Sequence, residues 1–319
     1  MYNSKIKKRF IEEKKLSKGI TEKCRIMFDE FEPYEKEWGK DLCAVEAEKI
    51  KPVFSNLAGT RSAVIKAKYK YLKMYAEWCI DNNIKGACRD ILDMDVLTVN
   101  KMEKITVTSP THLQKFFNSI FDPEIKKRID NVYRCVLWLA YMGVPKEEVL
   151  NIKTSEVDLK QMVLIHNDIE YPIYRESVPA FINCIHLNSF YYIHPKYSTT
   201  RQFTKPRAEG DTLIRGYANY ASFQILTVQI SKLLARAINE EKTDLKLSYY
   251  RVWISGLFYR MYQDEMMGIP PDFTNAAMEF MEGKDYKLDK TTMSLDSKCK
   301  RVAKNYLEDY KIWKSVFVK

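Results

Sequence analysis

Glycine and proline are scarce in this sequence, at 10 and 11 of 319 residues, which excludes collagen-like and low-complexity chains and disfavours a turn-dense all-β fold. The 7 cysteines, at positions 24, 43, 79, 88, 135, 184 and 299, form no CxxC pair and keep no metal-ligand spacing to a histidine. Neither a disulfide framework nor a metal site is therefore expected, and no motif asks for a cofactor. No apolar run approaches the roughly 18 residues that a membrane span needs. The basic opening Lys5, Lys7, Lys8 and Arg9 leads into Glu12, Glu13, Lys14 and Lys15 rather than into an apolar signal core. A cytoplasmic chain with reduced thiols, neither secreted nor membrane-spanning, is the expectation.

Core-forming residues are abundant. Hydrophobic residues make up 46% and aromatics 13%, with 21 Tyr and 15 Phe, so most of the chain can bury itself and disorder is excluded. At about 150 residues per domain the length reads as roughly two domains. Lys and Arg number 52 against 42 Asp and Glu, a net charge of +10. Such an excess attracts polyanions, and nucleic acid is the partner class it points to.

Apolar spacing is helical over most of the chain. Ile65, Tyr69, Leu72, Ala76, Cys79 and Ile80 form one stripe, while Arg61, Lys66, Lys68, Lys70 and Lys73 crowd the other faces ahead of the first acid, Glu77. The segment Ile105–Pro110 is β-branched, uncharged and ends in proline, which predicts an extended linker between two bodies. Ser109 is placed to cap a helix opening at Pro110, and a helix from Pro123 is predicted to run to Gly143. Met162–Ile165 and Ile169–Tyr174, separated by His166, Asn167 and Asp168, read as a β-hairpin. Further helices are predicted from Pro179 to Leu187, Thr227 to Glu240, after Ser248, and from Ser294 to Trp313. Lys196–Arg215, with Arg201, Lys205 and Arg207, reads as a surface loop, and residues 1–24 as a charged helix or arm that is solvated.

Several stretches resemble the tyrosine recombinase or phage integrase family. Phe31–Asp41 and Tyr75–Cys79 look like its SAM-like core-binding domain, and Leu137–Ile152 like its first signature. The resemblance implies a mainly α protein with a small β-hairpin or sheet (α+β), arranged as a two-domain clamp. A core-binding domain would span 25–105 and an integrase-like catalytic fold 106–319. Measured against the family's Gly-Leu-Arg-x-x-Glu-Leu, the sequence Gly143-Val144-Pro145-Lys146-Glu147-Glu148-Val149 keeps Gly143 and Glu148 but has Pro145 at the first catalytic arginine. Proline offers neither charge nor donor to a phosphate. The second signature, His-x-x-Arg, aligns with Ser248-Tyr249-Tyr250-Arg251, keeping the arginine alone. The hairpin that holds a catalytic lysine in the family has no lysine between Gln161 and Arg175, Lys284 stands near the third basic position, and Met293 falls where the nucleophilic tyrosine belongs.

These departures imply a recombinase scaffold that binds double-stranded DNA without cutting it, as a prophage repressor in a bacterial cytoplasm would, with homo-oligomers forming on DNA. The residues expected to meet DNA are Arg61, Lys66, Lys70, Lys73, Arg201, Lys205, Arg207, Lys232, Arg236 and Arg251. The competing reading is an active recombinase using Arg251 with Tyr306 or Tyr310, since Tyr286, Tyr306 and Tyr310 are the tyrosines nearest the empty position. A third is a protein-binding module whose basic surface meets an acidic partner. The 4 histidines, at 112, 166, 186 and 194, show no acid partner at a readable spacing.

Overall fold

The computed structural model describes the chain except for residues 58–61, 95, 97–99, 122–128, 194–201, 217, 219, 221, 283–293 and 318–319. It divides into two compact units, Met1–Lys101 and Met102–Lys319, each with its own core.

The first unit is helical: α1 (Ser4–Glu13), α2 (Lys18–Trp38), α3 (Ala47–Leu57) and α4 (Ser62–Asp81). Gly39 ends α2 in the left-handed region, at φ 62°, where a side chain would be strained. The stripe predicted on α4 faces inward: Leu72, Ala76 and Cys79 are fully buried and Ile65 nearly so. Around it, Tyr75 meets Phe28 and Phe10 edge-to-face at 4.9 and 5.2 Å. The helix expected within residues 1–24 forms, but it is not simply solvated. Phe10 and Lys7 of α1 are fully buried. The Lys7 ammonium donates to both oxygens of Glu35, at 2.6 and 2.5 Å, and lies 4.9 Å from the Phe28 ring centroid. The long stem of a lysine can enter a core once its charge is met, which is what the charge density of this stretch conceals.

The second unit is mixed. The boundary falls within α5 (Asn100–Ile105), followed by α6 (Pro110–Ile120) and α7 (Asp130–Met142). Ser109 caps α6 as expected, accepting from the His112 backbone N–H at 3.1 Å, and Gly143, at φ 99°, stops α7. Next come β1 (Val157–Asp158), β2 (Val163–His166) and β3 (Ile169–Pro172), an antiparallel sheet in that order. His166 pairs with Ile169 across a turn in which Asn167 and Asp168 both take positive φ, 52° and 61°, the residues a tight hairpin prefers. Beyond it lie α8 (Val178–His186), β4 (Ser189–Ile193), β5 (Gln202–Pro206), α9 (Phe223–Asn239), α10 (Tyr249–Met266), α11 (Thr274–Glu282) and α12 (Leu295–Phe317). The mainly α class with a small antiparallel sheet is as the sequence implied.

Two expectations fail here. Ile105–Pro110 is not a linker between the two units but lies within the second, where Thr106 and Val107 are fully buried. The Val107 N–H donates to Ser255 Oγ at 3.0 Å, and its carbonyl accepts from the Trp313 indole at 3.3 Å. Nor is 196–215 a loop throughout, because Gln202–Pro206 forms β5 and pairs antiparallel with β4. An uncharged β-branched run suits a buried extended segment as well as a linker, and only the partner's hydrogen bonds distinguish them.

At the centre of this unit α10 is buried from Arg251 to Phe258. It crosses α7 so closely that a Cβ on Gly256 would stand 1.9 Å from the Tyr141 carbonyl oxygen. Backbone cannot retreat as the end of a flexible side chain can. Gly256→Ala is therefore expected to destabilise the second unit by about 3 kcal/mol, outweighing the usual helix-propensity gain of about 1 kcal/mol. Gly19→Ala in α2, where nothing lies within 4 Å, should be neutral or stabilising. Thermal melts of the two variants check this, and equal midpoints would refute the close crossing.

Candidate nucleic-acid interface

The basic residues singled out in the sequence separate into distinct environments. On α4, Lys66 and Lys70 are exposed, one helical turn apart on the same face. Lys73 is turned partly inward, its ammonium donating to the Leu92 carbonyl at 2.9 Å, and Lys68 between them is held by Glu30 at 2.8 and 2.7 Å. Arg61 and Arg201 lie outside the described residues.

On α9 the helix starts where Ser222 Oγ accepts from the Ile225 N–H at 3.4 Å, and it buries Leu226, Ile230, Leu233, Leu234 and Ala237. Its other face carries Ile225, Val228, Lys232 and Arg236, all exposed. Arg236 Nε lies 3.8 Å from Glu240, a loose surface pair that leaves the guanidinium exposed. Two aliphatic side chains beside two cations on one helix face can meet phosphates with the cations and thymine methyls with the aliphatics.

Lys205 is exposed on β5, but Arg207, two residues on, is 9% exposed and turned inward. Its guanidinium donates to the carbonyls of Leu213 at 2.8 Å, Leu187 at 3.2 Å and Ile185 at 3.5 Å. Burial pulls its pKa below the usual arginine value, with Arg215 adding to the effect. Arg207 thus fastens two backbone segments, the end of α8 and the stretch at Leu213, and is not presented to a ligand, a correction to the sequence expectation. Arg251 is likewise 7% exposed, within the buried first turns of α10. From sequence, an arginine in a basic, turn-flanked stretch has the same signature whether it points to solvent or staples a loop.

The positions aligned with the recombinase signatures have other occupations. Ser248 is the N-cap of α10, its Oγ accepting from the Arg251 N–H at 3.3 Å. Pro145 sits in the turn after Gly143, its carbonyl accepting from the Glu148 N–H at 3.0 Å. Tyr306 and Tyr310 are 4% and 2% exposed on α12. Tyr250 donates to the Tyr306 hydroxyl at 3.2 Å, and Tyr310 donates to Glu265 at 2.6 Å. Burial, then the Glu265 carboxylate, pushes the Tyr310 phenol well above its ordinary value, so the nucleophilic phenolate is disfavoured. Lys284, Tyr286 and Met293 lie outside the described residues.

One cluster escaped the sequence reading. His166, 5% exposed at the end of β2, stands between two carboxylates: Nε2 is 3.1 Å from Glu148 and Nδ1 is 3.0 Å from Glu156. Burial alone would lower its pKa, but Glu148 and then Glu156 more than offset this, leaving it raised. The partners are 18 and 10 residues away in sequence, so no local spacing reveals them; the available signal was that a hairpin end and a signature glutamate fall in the same small sheet region.

Residues 1–81 match the family model described as "MrpR, N-terminal core-binding domain". That description is of the domain type implied by the sequence resemblance for the N-terminal part. Among solved structures, the chain is similar to a Tn1549 transposon integrase in complex with circular intermediate DNA, at 14% identity and a TM-score of 0.35, over 93% of this chain and 98% of that one. It is also similar to the XerA recombinase, at 14% identity and a TM-score of 0.34, over 95% and 98%. No curated protein sequence matches it.

The inward placement of Arg207 has a measurable consequence. Arg207→Met should cost about 3 kcal/mol of stability, because buried carbonyls lose a charged donor, whereas Lys205→Ala at its exposed neighbour should stay within about 0.5 kcal/mol. Denaturant unfolding of the two variants checks the difference.

Proposed function

We propose that the chain binds double-stranded DNA without breaking it and acts as a transcriptional repressor, of the kind that maintains a prophage. The observation that carries this reading is the match of residues 1–81 to a core-binding domain model, joined to an aligned recombinase site whose positions are used for other work. Ser248 caps a helix where a histidine would act, and Pro145 closes a turn where an arginine would hold the scissile phosphate. Loss of one preorganised cation from a phosphoryl-transfer site removes several kcal/mol, as an order of magnitude, of transition-state stabilisation. Among the described residues, the candidate tyrosines Tyr306 and Tyr310 are enclosed and engaged. Length and layout also resemble the master repressor of SPβ-like prophages.

In this reading affinity comes chiefly from phosphate contacts and counterion release, through Lys66 and Lys70 of α4, Lys205 of β5, and Lys232 and Arg236 of α9. Ile225 and Val228 supply the apolar part of base selection. The protein assembles as a homo-oligomer on repeated sites in the bacterial cytoplasm.

Two measurements test the proposal. Incubation with nicked suicide duplex, followed by denaturing electrophoresis, is expected to yield no protein-linked DNA; an adduct lost in Tyr306→Phe or Tyr310→Phe would establish the recombinase instead. The double variant Lys66→Ala, Lys70→Ala should weaken binding to all duplex sequences alike and flatten the plot of log affinity against log salt by about 2. An unchanged slope would make the α4 lysines a solvated face and remove them from the interface.

A further inference from the structure

The surroundings of His166 have a geometry that neutral imidazole cannot fully satisfy. Both ring nitrogens face carboxylate oxygens at hydrogen-bond distance, Nε2 toward Glu148 at 3.1 Å and Nδ1 toward Glu156 at 3.0 Å. A carboxylate only accepts, and only the imidazolium carries two N–H donors. The two acids come from different segments. Glu148 belongs to the turn that follows α7, where Asn151 also donates to it at 3.1 Å. Glu156 closes the short 3-10 turn Thr154–Glu156 and accepts from the Lys153 backbone N–H at 2.7 Å. The ring therefore ties the end of β2 to two neighbouring turns.

A second donor stands ready beside the ring. The Asn167 side-chain nitrogen is 3.3 Å from His166 Nε2 and 3.4 Å from the same Glu148 oxygen. With the ring charged, Nε2–H donates to Glu148 and Asn167 donates to that carboxylate as well. With the ring neutral and its proton on Nδ1, Nε2 is an acceptor and Asn167 can donate to it. The site thus offers a complete set of partners to each protonation state, but in the neutral state the direct link from β2 to Glu148 is replaced by one through the turn residue Asn167.

We propose that His166 is a proton-operated latch on the β2–β3 hairpin, closed onto the Glu148 turn when the imidazole is charged and handed over to Asn167 when it is not. The titratable groups facing the ring among the described residues are Glu148 and Glu156. Lys153, next to Glu156 through its backbone, directs its ammonium to Asp211 at 3.6 Å. Since the folded-state pKa is raised, the latch stabilises the fold fully below the unfolded-histidine value of about 6.5 and loses that contribution as pH rises through the folded value. It gives the hairpin a pH response that is independent of whether the protein binds DNA.

The test is a histidine-selective NMR titration of the full chain, with thermal melts across the same pH range. His166 is expected to titrate above an unstructured-peptide histidine, with both ring nitrogens protonated on the acid side. Glu148→Gln and Glu156→Gln should each lower the midpoint. Backbone amides of residues 163–170 should exchange faster once the midpoint is passed, and faster still in Asn167→Ala, which removes the receiving donor. The difference in melting temperature between the parent and His166→Gln should be largest near pH 6 and shrink as pH rises. A midpoint at or below the peptide value, or a melting difference that does not change with pH, would overturn the latch; the titration on the parent chain decides even if a variant fails to fold. If no DNA binds at all, the NMR and melting results still stand or fall alone, which separates failure of the latch from failure of the DNA-binding proposal.

Discussion

The second unit depends on one contact between backbones, the crossing of α7 and α10 at Tyr141 and Gly256. It allows α10 to be buried over its first turns, so that the helix has no solvent face there and every polar group must find a partner inside. Ser255 does this twice, donating to the Arg251 carbonyl at 2.7 Å and accepting from Val107. Through Val107 the same point reaches the Trp313 indole on α12. A segment with too little surface of its own to be stable, residues 105–110, is thereby held between two helices far from it in sequence. Arg260, on the same helix, donates to the Tyr141 carbonyl at 2.5 Å, so α10 meets the end of α7 with a side chain as well as with bare backbone.

Charge in this molecule is sorted by what surrounds it rather than by sign. Lys7 and Glu35 are enclosed together with an aromatic ring, Arg207 is used up on carbonyl oxygens, and Lys68 is matched to a neighbouring helix. Lys66, Lys70, Lys232 and Arg236 stand exposed. The net excess of +10 therefore overstates the charge arranged for any one ligand, because part of it is structural. Enclosed charges cost desolvation that only close partners repay, whereas exposed ones keep their hydration until a polyanion displaces counterions.

The elements legible in the sequence were those with local causes. Ser109 and Ser248 cap α6 and α10 at the starts read from the residues immediately following, whereas α9 opens at Ser222, ahead of the Thr227 start that was expected. Gly143 and the Asn167-Asp168 turn end their elements through backbone conformations that few residues tolerate. What could not be read depended on partners distant along the chain. β5 needed β4, Val107 needed Ser255, and His166 needed acids on two separate turns. Arg207 shows the same limit at the candidate site: its residue type and neighbours are those of a phosphate ligand, and only the three carbonyls around it assign it to the interior. On α4, helical periodicity alone separates the exposed Lys66 and Lys70 from the apolar stripe, but it places Lys68 and Lys73 in the same way, and these are engaged by Glu30 and the Leu92 carbonyl.

The burial of α1 also bears on how the first unit can be handled. Its charged opening invites trimming to the start of a tidier helical body, yet a cut at residue 24 would take away Phe10, which fills the space against Tyr75 and Phe28, and Lys7, which neutralises Glu35. Glu35 would keep the hydrogen bond from the Leu42 N–H, at 2.7 Å, but lose the charge that meets its own. The shortened fragment would trade a satisfied ion pair for a half-enclosed carboxylate and an open aromatic cavity, and would have reason to self-associate. The short basic start is thus an interior part of this domain, and fragments meant to fold alone should keep α1.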